Sequence, residues 1–299
     1  MGGLARCVAW VGLLWALGAV PPARAGTPQT GEFTTGDGAR IHYLVSGRAG
    51  AAPALVLIPG WTLTASLWRE QLDAFSDARQ VIAVDSRSQG ASARMDYGNT
   101  PERRAQDLHE LLARLQLRRV VLVGWSQGAQ DVAAYLQQFG TAEVAGVVFV
   151  DSPVSAGPEE LKLNPVFSRQ IIAGLGVYAA HPAEYAEGMV RSIFKRPHPE
   201  LDLGAVIETA QQTPPSVGTA MLVADIFGAD RRPVLGRIDR PALVIASAES
   251  PLLDAQKAMA EAIHGARWVE LPDTGHAVFV DDPKGFDDAL RDLLRKLPR

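Results

Sequence analysis

Six short apolar runs, at residues 55–58, 81–84, 120–123, 147–150, 243–246 and 268–271, set the tightest limit on how this chain can fold. Most lack the apolar–polar alternation of a half-solvated strand and read as strands buried on both faces. Between several of them lie segments with a helical period. The clearest is 101–115, where Leu108, Leu111, Leu112 and Leu115 share a face and Pro101 stands near the start. Strands alternating with helices predict an α/β fold, a mostly parallel sheet covered on both sides. Ahead of the first run, "GEFTTGDGARIHYLVSG" predicts two short strands around a Gly36-Asp37-Gly38 turn.

The alternation breaks once. From 152 to 240 no convincing strand is present, and Pro and Gly punctuate helical segments at about 158–174, 182–194 and 214–227. The chain then returns to the sheet at "PALVIAS", so this stretch predicts a helical lid inserted between two core strands. The expected organisation is a core of 26–151 and 241–299 interrupted by a lid of 152–240. Internal repeats and low-complexity segments are absent from the sequence.

One junction carries chemistry. In "VVLVGWSQGAQDVAAYLQQFG" the apolar run ends at Gly124, and a helical stripe of Ala129, Val132, Ala133 and Leu136 begins just beyond Gln127. Ser126 lies on the turn between them, flanked by Gly124 and Gly128. A nucleophile held on such a turn needs neighbours without a Cβ, so that strand and helix approach closely and the hydroxyl projects.

Around this junction stand "LIPGWTLTASLW" after an early strand, "VIAVDSRSQGAS", "LVGWSQGA", and "LPDTGHAVFVDDP" near the C-terminus. Their order and spacing over nearly the whole chain resemble the α/β-hydrolase superfamily. The resemblance implies that Ser126 is the nucleophile and His276 its general base, with the order Ser, acid, His along the chain. His42, His109, His181, His198 and His264 are expected to be ordinary surface histidines. It also implies an oxyanion hole from the backbone N–H groups of Gln127, at the start of a helix, and Trp61, after the early strand. Pro59-Gly60 stands where the family often has His-Gly. Arg87 is expected to be a structural hydrogen-bonding residue.

The acid is where the sequence departs from the common pattern. Many relatives place an Asp after the strand matching "ALVIASAESPLLD", and here that position holds Ser250, with Glu249 beside it and Asp254 four residues on. A second place in the fold, directly after the preceding core strand, holds Asp151. A carboxylate at either place could orient the imidazole of His276. Placement favours Asp151, with Glu249 and then Asp254 as alternatives.

The N-terminal stretch "MGGLARCVAWVGLLWALGAVPPARAGT" has a basic residue, an apolar run, helix-breaking prolines and Ala23-Arg24-Ala25. That pattern predicts a signal peptide at 1–25 and a secreted or periplasmic mature protein without a membrane anchor. The only cysteine, Cys7, lies inside it, which leaves the mature chain without disulfide or thiol chemistry. The formal charge of −4 is mild and unclustered, and it gives no reason to expect a nucleic-acid partner. Metal-ligand spacings and Gly-rich phosphate loops are also missing, so no cofactor and no metal is expected.

The resulting expectation is a cofactor-free serine hydrolase acting on a small-molecule ester, lactone, thioester or amide. The rivals are a perhydrolase or carbon–carbon bond hydrolase with the same triad, and a binding or sensing protein on a hydrolase scaffold. The sequence leaves the oligomeric state open.

Overall fold

The computed structural model describes residues 27–297 of the protein, so the expected signal peptide at 1–25 lies outside the described residues. Eight strands form one sheet in the order β1-β2-β4-β3-β5-β6-β7-β8. They are β1 (Gln29–Thr34), β2 (Arg40–Ser46), β3 (Ala54–Ile58), β4 (Val81–Val84), β5 (Val120–Trp125), β6 (Val144–Val150), β7 (Ala242–Ser247) and β8 (Arg267–Leu271). The hairpin of β1 and β2 pairs antiparallel, and the remaining six strands run parallel.

Alternate residues of each central strand feed opposite cores. On one face Val56, Ile82, Leu122, Phe149 and Val244 pack with Leu108, Leu111 and Leu112 of α2 (Pro101–Arg114) and Val132 and Leu136 of α3 (Gln127–Phe139). On the other, Leu55, Val123, Val148 and Ile245 meet Leu72 and Phe75 of α1 (Arg69–Ser76) and residues near the C-terminus. Helix α2 starts as its sequence predicts, with Pro101 in the first turn and Thr100 Oγ1 accepting the Arg103 N–H at 3.3 Å.

Between β6 and β7 the chain forms α4 (Glu160–Leu163), α5 (Pro165–Ala180), α6 (Pro182–Ser192), α7 (Leu203–Gln211) and α8 (Pro215–Val223), followed by a π-helical turn at Ala224–Gly228. Two details differ from the sequence reading. Helix α5 runs past Gly174 to Ala180, because an interior glycine weakens a helix without ending it. Helix α7, opened by the Asp202 side chain accepting the Ala205 N–H, was not expected at all. The rest of the core is α9 (Leu253–Ala262), the short α10 (Val278–Asp281) and α11 (Pro283–Arg295).

The lid is fastened unevenly. Arg104 of α2 is buried between Asp131 of α3 and Asp225 of the π turn, which pins the lid's last segment to the core. Burial, together with the neighbouring Asp131 charge, pushes the Asp225 carboxyl up to about 7 against the pull of Arg104. By contrast, α4 and α5 expose Leu161, Leu163, Val166, Ile172 and Val177.

Candidate active site

The parallel strands end on one side of the sheet, and the turns that follow β3, β5, β6 and β8 supply the site. In open α/β sheets this is where ligands bind. Ser126 follows β5 directly and caps α3 with φ 56° and ψ −116°, a conformation that costs a non-glycine residue energy. The flanking glycines make it possible. A Cβ on Gly124 would lie 2.3 Å from the Gly128 carbonyl oxygen, and one on Gly128 would lie 2.6 Å from the Ile58 carbonyl oxygen. Strand β5, helix α3 and strand β3 therefore touch backbone to backbone around the serine.

His276 sits on the loop between β8 and α10. Its Nδ1 lies 2.7 Å from Asp151 Oδ2, and its main-chain carbonyl accepts the Trp125 indole N–H at 2.9 Å. Asp151 immediately follows β6 and is buried, with φ 44°, a left-handed conformation that aspartate tolerates. Its other oxygen accepts the Ser247 backbone N–H at 3.0 Å and lies 3.3 Å from Gln256 Nε2. An acceptor ringed by donors in this way is held in one direction.

Neither of the other two candidate acids bonds His276 among the described residues, although Glu249 lines the same cavity. Glu249 is exposed and pairs with Lys195 Nζ at 2.5 Å, while Asp254 is exposed in the first turn of α9. Ser250 Oγ accepts from Gln256 Nε2 at 2.9 Å, so one buried glutamine links the position after β7 to the aspartate after β6.

The turn after β3 packs onto the serine. A Cβ on Gly60 would stand 3.2 Å from Ser126 Cβ. Two glutamines hold this turn against the helix: Gln127 Nε2 donates to Gln89 Oε1 at 2.7 Å, and Gln89 Nε2 donates to the carbonyls of Gly60 and Leu63 at 3.0 and 2.7 Å. The backbone N–H groups of Trp61 and Gln127 make no hydrogen bond among the described residues and flank the serine. Gln127 opens α3, where the first amides have no intrahelical partner. The Trp61 indole N–H donates to the Gly218 carbonyl of the lid at 2.9 Å, and its ring packs edge-on to Tyr178 at 5.0 Å.

Trp61, Ser126, Gln127, Asp151 and His276 all line one cavity of about 620 Å³ under the lid. Of the lid residues, Phe167, Ile171, Met189, Phe194, Leu222 and Ile226 form its apolar wall. Tyr178 and Met221 are buried inside the lid instead. No hydrogen bond joins Ser126 Oγ to His276 among the described residues. Such pairs often tighten to bonding distance only around a substrate.

Several groups had no clear signal in the sequence. Gln89 and Gln127 brace the turn after β3, Ser247 and Gln256 hold Asp151, and Ser247 Oγ also donates to the Thr274 carbonyl of the loop bearing His276 at 2.6 Å. Arg87 is structural as expected, paired with Asp107 and Asp37. His198 departs from the surface role expected of it. Its side chain is largely buried, with Nε2 at 2.7 Å from Asp281 and Nδ1 at 3.1 Å from Glu200. Among the described residues no cluster of potential metal ligands is present.

A sequence profile of the alpha/beta hydrolase family matches residues 55–289. The chain is 24% identical over 272 residues to 3-oxoadipate enol-lactonase 2 of Acinetobacter baylyi, covering 89% of this chain and 97% of that one. It is 36% identical over 120 residues to a non-heme chloroperoxidase of Kitasatospora aureofaciens, a match spanning 40% of this chain and only 42% of that relative's length. Among solved structures, a thermophilic esterase from Thermogutta terrifontis superposes with a TM-score of 0.74 at 27% identity, over 90% of this chain and 98% of that one. The profile covers most of the sequence and the fold agrees with it, so this chain belongs to the alpha/beta hydrolase family.

Proposed function

We propose that the protein is a serine esterase for neutral, largely apolar esters, with Ser126, His276 and Asp151 as its triad. The observation that carries this reading is the bond from a buried, doubly anchored Asp151 to His276 Nδ1, in a cavity that also holds Ser126. With Nδ1 occupied by the carboxylate, Nε2 is free to take the serine proton as Oγ attacks the acyl carbon. The tetrahedral oxygen would be met by the amides of Trp61 and Gln127. His276 then returns the proton to the leaving alkoxide. Water, activated by the same imidazole, releases the acid and restores the serine.

The substrate class follows from the cavity wall. Each charged side chain lining it has a partner: Lys195 with Glu249 in an exposed pair, Asp225 with Arg104, and Asp151 with His276. An anionic acyl group would have to compete with Glu249 for Lys195, the one cation on the wall among the described residues, whereas an alkyl or aryl group would meet Phe167, Ile171 and Met189. The test is a series of p-nitrophenyl esters, from acetate to decanoate, set beside the hemisuccinate. The expected result is higher kcat/KM for a neutral medium-chain ester than for the hemisuccinate, and turnover abolished in Ser126→Ala. Activity surviving in Ser126→Ala, or a preference for the anionic ester, overturns the reading.

A second reading has support in the likeness to the non-heme chloroperoxidase. Hydrogen peroxide in place of water would cleave the same acyl-enzyme to a peracid, leaving Ser126 free. Peracid appearing when ester and peroxide are supplied together would favour it. Export is also proposed, on the N-terminal sequence alone. The mature chain should then begin at Gly26, and an intact Met1 on the folded protein would count against it.

A further inference from the structure

The carboxylate of Asp281, at the end of α10, does not line the cavity, yet its side chain is fully buried. One oxygen, Oδ2, accepts two main-chain N–H groups: Gly275, next to the proposed base, at 2.7 Å, and Lys195, in the lid, at 2.9 Å. The other oxygen lies 2.7 Å from His198 Nε2, also in the lid. On the far side of His276, the Ala277 N–H donates to the Ile193 carbonyl at 2.8 Å. The segments are in direct contact, since a Cβ on Gly275 would lie 2.6 Å from the Ile193 oxygen and 2.9 Å from the Lys195 nitrogen.

We infer that Asp281 is a positioning residue for His276, locking the base to the lid segment 193–198. This rests on the esterase reading above, in which His276 is the base. Asp151 fixes one ring nitrogen, but the backbone that carries the ring is a loop, and loops are the mobile parts of a fold. Asp281 removes that freedom by holding the loop through a charge-assisted bond shared with the lid, and the Ala277–Ile193 bond closes the clamp from the other side. Ile193, Phe194 and Lys195 also line the substrate cavity, so the wall that touches substrate and the group that moves the proton form one body.

The test uses the full chain with Asp281→Ala and Asp281→Asn, and it reads the base in two ways. One is steady-state kinetics on a neutral p-nitrophenyl ester. The other is the rate at which a fluorophosphonate labels Ser126, which needs the base but no particular substrate. Asparagine keeps one oxygen for the two amides, whereas alanine keeps none. Misplacing a catalytic group by about 1 Å costs on the order of 10²-fold, so Asp281→Ala should lower kcat and the labelling rate by at least about tenfold while KM moves by less than about threefold. Asp281→Asn should recover most of that loss. Gly275→Ala, which leaves the carboxylate in place and pushes the lid off the loop, should also lower kcat and the labelling rate. This keeps the idea testable if Asp281→Ala does not fold. Wild-type kcat and labelling in either Asp281→Ala or Gly275→Ala overturns the inference, as does a loss confined to KM. A wild-type protein that the probe does not label defeats the esterase reading itself, which is a separate outcome.

Discussion

The turns after β6 and β7 lie side by side on adjacent strands, and each offers a carboxylate lining the same cavity as His276. Their environments differ sharply. Asp151 after β6 is buried, faces His276 at 2.7 Å and takes a backbone amide on its other oxygen. Glu249 after β7 is exposed and neutralised by a lysine of the lid. A buried charge persists only if neighbouring groups satisfy it, and those same groups fix its direction, which is what a residue orienting an imidazole requires. A solvated ion pair is held weakly and contributes little. What separates the two is the set of donors around the carboxylate, more than its distance along the chain.

The largest effect that could break this comparison is on turnover. Asp151→Asn keeps the shape and removes the charge, and in a comparable triad of another fold such a change costs about 10⁴-fold, so kcat should fall by at least about 10²-fold with an unchanged circular dichroism spectrum. A more demanding version moves the charge. If the place after β7 is merely vacant, Ser250→Asp added to Asp151→Asn should recover at least about tenfold of the lost kcat in steady-state assays. Glu249→Gln should cost less than about tenfold, consistent with a surface pair. If Glu249→Gln proves the crippled variant, the acid belongs after β7 and the comparison reverses.

The smallest effect sharpens what burial does to a carboxylate with poorer support. Asp225 is fully buried, and its carboxyl is pushed up to about 7 chiefly by desolvation, with one oxygen lacking any partner. Below that value the folded chain holds a proton that the unfolded chain releases once pH exceeds the ordinary carboxylate range. Stability therefore declines as pH climbs from the ordinary carboxylate range to about 7. Thermal melts of wild type and Asp225→Asn at pH 5 and pH 7.5 should show a flatter dependence in the variant. Equal slopes would mean that Arg104 keeps the carboxylate ionised throughout.

How much of this was legible beforehand depends on whether a feature is local. The buried strands announce themselves, since runs such as Val120–Val123 have no polar face, and the Gly124-x-Ser126-x-Gly128 junction states its own sterics. The lid is visible in the sequence only as an interruption, although α7 does carry a helical stripe of Leu203, Val206, Ile207 and Ala210 that packs on the core and went unread. Gln256, Ser247 and Asp281 left no trace in the sequence. Gln256 and Ser247 bond partners more than 25 residues away, and Asp281 joins nearby Gly275 to distant Lys195, a link that no short window marks. Placement alone favours Asp151 over Glu249 in the sequence, because burial is a property of the assembled sheet.

The scatter of the site along the chain also has a kinetic side. Asp151 and His276 are 125 residues apart, and the loop bearing the histidine follows β8, the last strand of the chain and one edge of the sheet. Long-range pairing of parallel strands is slow compared with forming local helices. A chain whose first six strands are in place, with Ser126 already on its turn, would still lack its proton acceptor. Regain of activity during refolding should therefore trail regain of helical signal, and catalytic turnover becomes a direct clock for the final closing of the sheet.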